Sequence, residues 1–126
     1  MIPKKPVQQK TARWVSEPYR RAVAQLPCVN CGTHGASQCA HANAAVFGKG
    51  MGMKSHDFAT FPLCHEGANG CHARHDQSLE AKTKIERIDY EHNLIGLTMQ
   101  NLRKNELITD DVFELVKSKL NSLFLC

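Results

Sequence analysis

The feature that most narrows what this chain can become is a crowding of metal-ligand residues between Cys28 and Asp76, CVNCGTHGASQCAHANAAVFGKGMGMKSHDFATFPLCHEGANGCHARHD. That stretch holds five of the six cysteines and six of the seven histidines. Core packing rarely concentrates these two residue types. Thiols at metal-ligand spacing predict a fold organised around an ion rather than around a large apolar interior. A chain of 126 residues has room for one domain with a high surface-to-volume ratio, so a metal brace supplies what a small core cannot. No apolar run approaches the roughly 20 residues that cross a bilayer, and the start, MIPKKPVQQK, lacks the apolar stretch of a secretory signal. The expectation is a soluble, cytoplasmic protein without a membrane partner. In a reducing compartment its paired cysteines ligate metal rather than forming disulfides.

The net charge of +4 is unevenly placed. Residues 1–27 carry Lys4, Lys5, Lys10, Arg13, Arg20 and Arg21 against Glu17 alone, whereas the rest of the chain is close to balanced. A basic leading segment suits the phosphate backbone of a nucleic acid without regard to base sequence. Residues 1–15, with Pro3, Pro6 and no hydrophobic period, read as a basic flexible arm. Residues 16–126 read as a single domain, a finger over 28–77 followed by a helical tail over 78–126.

Ser16 can cap a helix whose first turn tolerates Pro18, and Tyr19, Ala22, Val23 and Leu26 then share one face until Pro27 ends it. Arg20 and Arg21 fall off that stripe and are available to a ligand. Cys28-Val29-Asn30-Cys31-Gly32 reads as a knuckle of two thiolates, and tetrahedral zinc needs two further ligands. Cys64 and Cys71 fill those places, with His65 as an alternative to one cysteine. Cys39 and Cys126 read as spares. Ser37 to Asn43 reads as a short strand that delivers His41 at its end. Gly48-Lys49-Gly50-Met51-Gly52-Met53-Lys54 follows, a glycine loop able to hug a phosphate with two lysines. Phe58 to Cys64 alternates like a second strand. A helix that starts near Cys71 would place His72, His75 and Asp76 on one face, able to point at one divalent cation. His34, His56 and His92 read as surface residues. Beyond Asp76 the apolar period runs helically from about Leu79 to Lys104, with Gly96 as a kink and Asn105 as the stop. Thr109 or Asp110 caps a last helix that presents Val112, Phe113, Val116, Leu120, Leu123 and Phe124, in a stripe ending at Leu125. The fold expected is α+β, a small zinc-braced ββα-metal finger with an N-terminal helix and two C-terminal helices.

As an ordered set, CVNCG, Ala40-His41, GKGMGMK with Asp57 after it, Pro62-Leu63-Cys64, and Gly70-Cys71-His72 with Asp76 one turn later resemble the HNH (His-Me finger) endonucleases. Within them the pattern is most similar to the prophage-encoded, Ref-type recombination-enhancement nucleases. The resemblance covers about Tyr19 to Gln77. It departs from the usual HNH pattern at Ala40, where a metal-ligating acidic residue or histidine normally precedes the base, and it offers no clear counterpart of the asparagine. The resemblance implies a structural zinc and a metal-dependent hydrolysis of DNA. In it His41 is the general base, Asp57 or a backbone carbonyl fixes its tautomer, and His72, Asp76 and His75 hold Mg²⁺, Mn²⁺ or another divalent ion. Lys54 and Lys49 would add positive charge at the transition state, and the products would be a 5′ phosphate and a 3′ hydroxyl. Lys49, Arg20 and Arg21 would contact the nucleic acid. A recombinase filament on DNA is a further partner that the Ref-type likeness implies and that no residue here specifies. The alternative from another class is a zinc-ribbon module that binds DNA without cutting it, which leaves the ordered histidines and Asp76 without a task.

Overall fold

In a computed structural model, residues 12–65 and 70–124 are described. The arm up to residue 11, the centre of the cysteine loop (66–69) and the last two residues, with Leu125 and Cys126, lie outside the described residues.

The first helix, α1 (Glu17–Ala24), begins where Ser16 accepts a hydrogen bond from the Tyr19 N–H, and it buries Tyr19, Ala22 and Val23. A two-stranded antiparallel hairpin follows, β1 (Ser37–His41) paired with β2 (Thr60–Cys64) in the register Ser37 with Cys64 through His41 with Thr60. Side chains alternate across a strand. Gln38, Ala40, Phe61 and Leu63 therefore share one face, and Cys39, His41 and Thr60 share the other. Helix α2 (Cys71–Glu80) lies on the first face, where Phe61 meets the His75 ring at 5.2 Å. Helix α1 packs against both strands, and α3 (Lys84–Lys104) packs on β2. The last helix, α4 (Asp110–Ser122), starts at a Thr109 cap and buries Phe113, Val116 and Leu120 against the rest. Phe47, Phe58, Phe61, Leu63, Ile95 and Leu102 are fully buried between these layers.

The order β1, β2, α2 and the α+β class agree with the sequence reading, but several boundaries do not: β1 ends at His41 rather than Asn43, and β2 starts at Thr60 rather than Phe58. The helical run expected from Leu79 to Lys104 is broken at Lys82. Thr83 and Glu86 form a reciprocal capping box that starts α3 afresh, while the Arg87 guanidinium donates to the carbonyls of Leu79 and Lys82 at the end of α2. Gly96 lies inside a continuous α3. The domain also begins earlier than residue 16, because Trp14 joins it. Its N–H donates to His56 Nδ1 at 2.9 Å, its carbonyl accepts from the Asp57 N–H, and its ring packs on Tyr19 and Phe58.

Between the strands, a 3₁₀ turn (Ala45–Phe47) buries Phe47 and hands over to Gly48 at φ +99. A Cβ at Gly48 would lie 2.9 Å from His56 Cδ2, so only glycine fits there. His56, expected on the surface, is buried. It stacks on Phe58 at 4.9 Å and serves as the acceptor for the Trp14 N–H.

Candidate metal centre and active site

Cys28 and Cys31 come from the knuckle after α1, Cys64 is the last residue of β2 and Cys71 is the first of α2. Their sulfur atoms all lie within 4.8 Å of one another. Cys31 Sγ and Cys64 Sγ are 3.7 Å apart, against the about 3.8 Å that a tetrahedral ion with Zn–S bonds of about 2.3 Å imposes. The group fits a metal ion such as zinc. Donors already face it: the Asn30 amide donates to Cys71 Sγ at 3.2 Å, the Cys71 N–H to Cys64 Sγ and the Cys31 N–H to Cys28 Sγ. Such contacts stabilise thiolates and orient ligands. The Thr33 hydroxyl, chiefly, draws the Cys31 thiol down to about 6. Cys71, in spite of the Asn30 hydrogen bond, is pushed up to about 12 by burial and by its neighbouring thiols. A divalent cation removes that repulsion and lets all four ligate together. His65 is exposed and outside the group.

The second centre forms around Asp57, whose side chain is 0% exposed. Its Oδ1 accepts from Arg13 Nη2 and His41 Nε2, both at 2.8 Å, and its Oδ2 from the Ser16 N–H at 2.8 Å and from Arg20 Nη1. Burial acts to raise the Asp57 pKa. The hydrogen bonds from His41, Ser16 and Arg20 and the charge of Arg13 outweigh it, and the carboxyl is held below its ordinary value. An ionised carboxylate accepts only, so the proton of His41 is on Nε2. The 3.4 Å approach of Arg13 Nη2 to the same nitrogen is then a close passage rather than a bond. Nδ1 of His41 has no hydrogen-bond partner among the described residues. Burial lowers the His41 pKa first of all, Asp57 opposes, and the charges of Lys54 and Arg13 lower it further. The imidazole is therefore a neutral base near pH 7 with a bare nitrogen.

The three residues expected to share a catalytic ion do not come together. His72 Nδ1 pairs with Gln38 Oε1 at 2.7 Å, and Asp76 accepts from the Asn43 amide. His75 turns inward: its Nε2 bonds Glu91 Oε2 at 2.7 Å, with the histidine side chain 6% and the glutamate 0% exposed. His75 is thus removed from the ion's ligand set, because the neighbouring Glu91 on α3 holds it in the core. Glu91 also accepts from the N–H groups of Asn43 and Ala44, so it closes the turn just beyond His41. His72 and Asp76 keep the outer face of α2. By strand alternation the Gln38 side that His72 touches is the opposite side from His41. The two sides meet at the end of β1, where Asn43, two residues past His41, reaches Asp76.

Arg20 is not free for a ligand as expected, since Asp57 claims it, and Arg21 pairs with Glu17 one turn away on the surface. Lys49 and Lys54 are exposed. The glycine loop spends the N–H groups of Gly50 and Met53 on a turn instead of presenting them to a phosphate. Arg13 and Glu91 escaped the sequence reading. Only Glu91 left a signal there, as a charged residue in the apolar register Ile88, Glu91, Leu94, Ile95, which needs a buried partner.

A family profile described as Protein of unknown function (DUF968) matches residues 4–101. The chain belongs to the DUF968 family. The matched span takes in all four clustered cysteines, the hairpin, α2 and most of α3, and leaves α4 outside. Over 63 residues the chain is 41% identical to the Uncharacterized protein YdfU of Escherichia coli (strain K12), an alignment that covers 50% of this chain and 18% of that protein. The DUF968 chain described here thus spans less than a fifth of the length of that curated relative. No solved structure matches it significantly. Among the described residues, no helix is long and apolar enough to cross a membrane.

Proposed function

We propose that this chain is an endonuclease that hydrolyses DNA phosphodiester bonds on an HNH-type ββα finger, with His41 as general base and the four cysteines holding a structural zinc. One observation carries the reading: a buried carboxylate fixes His41 through Nε2 and leaves Nδ1 bare at the end of a hairpin. Through Nδ1 the ring takes the proton of a water as its oxygen attacks phosphorus, and Asp57 stabilises the imidazolium that forms. Arg13, Arg20 and Lys54 outnumber that single carboxylate, which suits a phosphate. Of the expected ion ligands, His72 and Asp76 remain on the outer face of α2; to hold a Mg²⁺ or Mn²⁺ together they would have to leave Gln38 and Asn43. When bound, such an ion supplies positive charge to the phosphate and the leaving 3′ oxygen.

The second reading, a zinc-braced DNA-binding module without catalysis, draws on the separate partners of His72, His75 and Asp76. The deciding experiment incubates plasmid and single-stranded DNA with the zinc-loaded protein and added Mg²⁺ or Mn²⁺, beside His41→Ala. The nuclease predicts cleavage that falls by about 10² to 10⁴-fold in the variant, with zinc content and DNA binding retained. Binding with no cleavage by wild type under either ion selects the module.

A further inference from the structure

The Gly48–Lys54 loop is built in a way that neither the zinc centre nor the base requires. Met51 is 102% exposed and Met53 49%. Singly exposed apolar side chains are ordinary; here two methionines sit two residues apart at the tip of one loop, with a lysine on either side. The backbone that carries them is a closed turn. Gly50 and Met53 exchange both backbone hydrogen bonds, at 3.2 and 3.0 Å, and Gly52 at φ +72 takes the position where such a turn demands glycine. The base of the loop is pinned as well. Phe47 is in the core and its carbonyl accepts the His56 N–H at 3.0 Å, while Gly48 presses on the His56 ring.

The descending leg of the loop ends at the base. The Ser55 carbonyl accepts from Arg13 Nε at 3.0 Å, and the same guanidinium reaches Asp57 and passes His41. The Lys54 charge is felt at His41. From Ala45 to His56 the sequence has no acidic residue, and Lys49 and Lys54 flank the methionines. The occupant of this tip is therefore a polyanion that also offers an apolar interior, which describes stacked bases between phosphates. An unbranched, polarisable methionine is one of the side chains able to enter a base step, and the unstacking it causes is offset by the contacts of the bent duplex.

We propose that the Gly50–Met53 turn is a wedge that opens a base step of duplex DNA next to the scissile phosphate, with Met51 inserted, Met53 beside it, and Lys49 and Lys54 on the flanking phosphates. The position next to a scissile bond rests on the nuclease reading above; the insertion itself does not.

The test uses a short duplex carrying 2-aminopurine, whose fluorescence rises when it unstacks, titrated with the zinc-loaded full chain before any Mg²⁺ or Mn²⁺ is added. Wild type should raise the fluorescence severalfold on binding. Met51→Ala combined with Met53→Ala should abolish the rise while weakening binding by no more than about tenfold, because both lysines remain. Met51→Leu should restore the signal. A flat signal from bound wild type, an equal rise from the double alanine variant, or no binding to duplex at all overturns the wedge. The two readings separate cleanly. Cleavage with a flat signal removes the wedge and leaves the nuclease, whereas a methionine-dependent rise without cleavage under added ions removes the nuclease and leaves the wedge to a binding module.

Discussion

Two buried carboxylates in this small protein each grip the Nε2 of a histidine, and they do so to different ends. Asp57 holds His41 at 2.8 Å and Glu91 holds His75 at 2.7 Å. Around Asp57 the other donors are the Ser16 N–H and two guanidinium groups, 27% and 33% exposed, and the His41 side chain keeps 14% of its surface in solvent. Around Glu91 the other donors are main-chain N–H groups, and His75 is boxed between Phe61 and Tyr90. The pair alone does not decide the role. What separates them is exposure and charge: His41 keeps more of its side chain in solvent than His75 does, and two guanidinium groups and the Lys54 charge surround it. The Asp57 centre can orient a base toward an anion; the Glu91 centre can only fasten α2 and α3 to the chain leaving β1.

That contrast can be broken most sharply by matched substitutions. His41→Gln should reduce DNA cleavage by about 10² to 10⁴-fold with an unchanged melting temperature, whereas His75→Gln should leave cleavage within a few-fold wherever the protein is folded. Equal losses at the two positions would erase the distinction. Stability should reverse the ranking. Glu91→Ala strands three donors, the buried His75 Nε2 and the part-buried N–H groups of Asn43 and Ala44, at about 1 kcal/mol each, so urea denaturation should report a loss of roughly 3 kcal/mol. Asp57→Ala should cost less than that, because Arg13 and Arg20 can turn to water, although the Ser16 N–H is left without its acceptor. The smallest effect concerns pH. Because burial disfavours the His41 cation, the acid limb of the cleavage profile should inflect below the ordinary histidine value of about 6.5. Asp57 favours that cation, so the residual activity of Asp57→Asn should show the limb moved lower still. An inflection above the ordinary value would mean that the carboxylate outweighs burial, and would leave less of His41 in the neutral form near pH 7.

Much of this architecture was legible in the sequence because it rests on local chemistry. Ser16 and Thr109 cap helices through side chains that reach only three residues ahead, and Asn105 ends α3; β2, read as alternating, is buried along its whole length. The four clustered cysteines could be chosen because metal geometry leaves few alternatives. Most of the misses involve partners distant in sequence; the break at Lys82, set by the local Thr83–Glu86 capping box, is an exception. Nothing in the neighbourhood of His56 says that the Trp14 N–H will donate to it, and nothing near Arg13 says that Asp57 will claim it. His72, His75 and Asp76 do share a helix, as their spacing requires. Gln38, Glu91 and Asn43 divide them, and only the packing of α2 between the hairpin and α3 decides that.

The cysteine group also bears on how such a chain finds its structure. It joins the turn after α1, the far end of β2 and the first residue of α2 at one point, so an ion captured early by Cys28 and Cys31 would wait for Cys64 across the whole length of the intervening hairpin. Once that capture is made, most of the loop-closure entropy of the hairpin has been surrendered in a single event. Refolding would then be paced by the encounter of the two thiol pairs rather than by growth of the strands, at a rate that no longer rises with metal once the first pair is loaded.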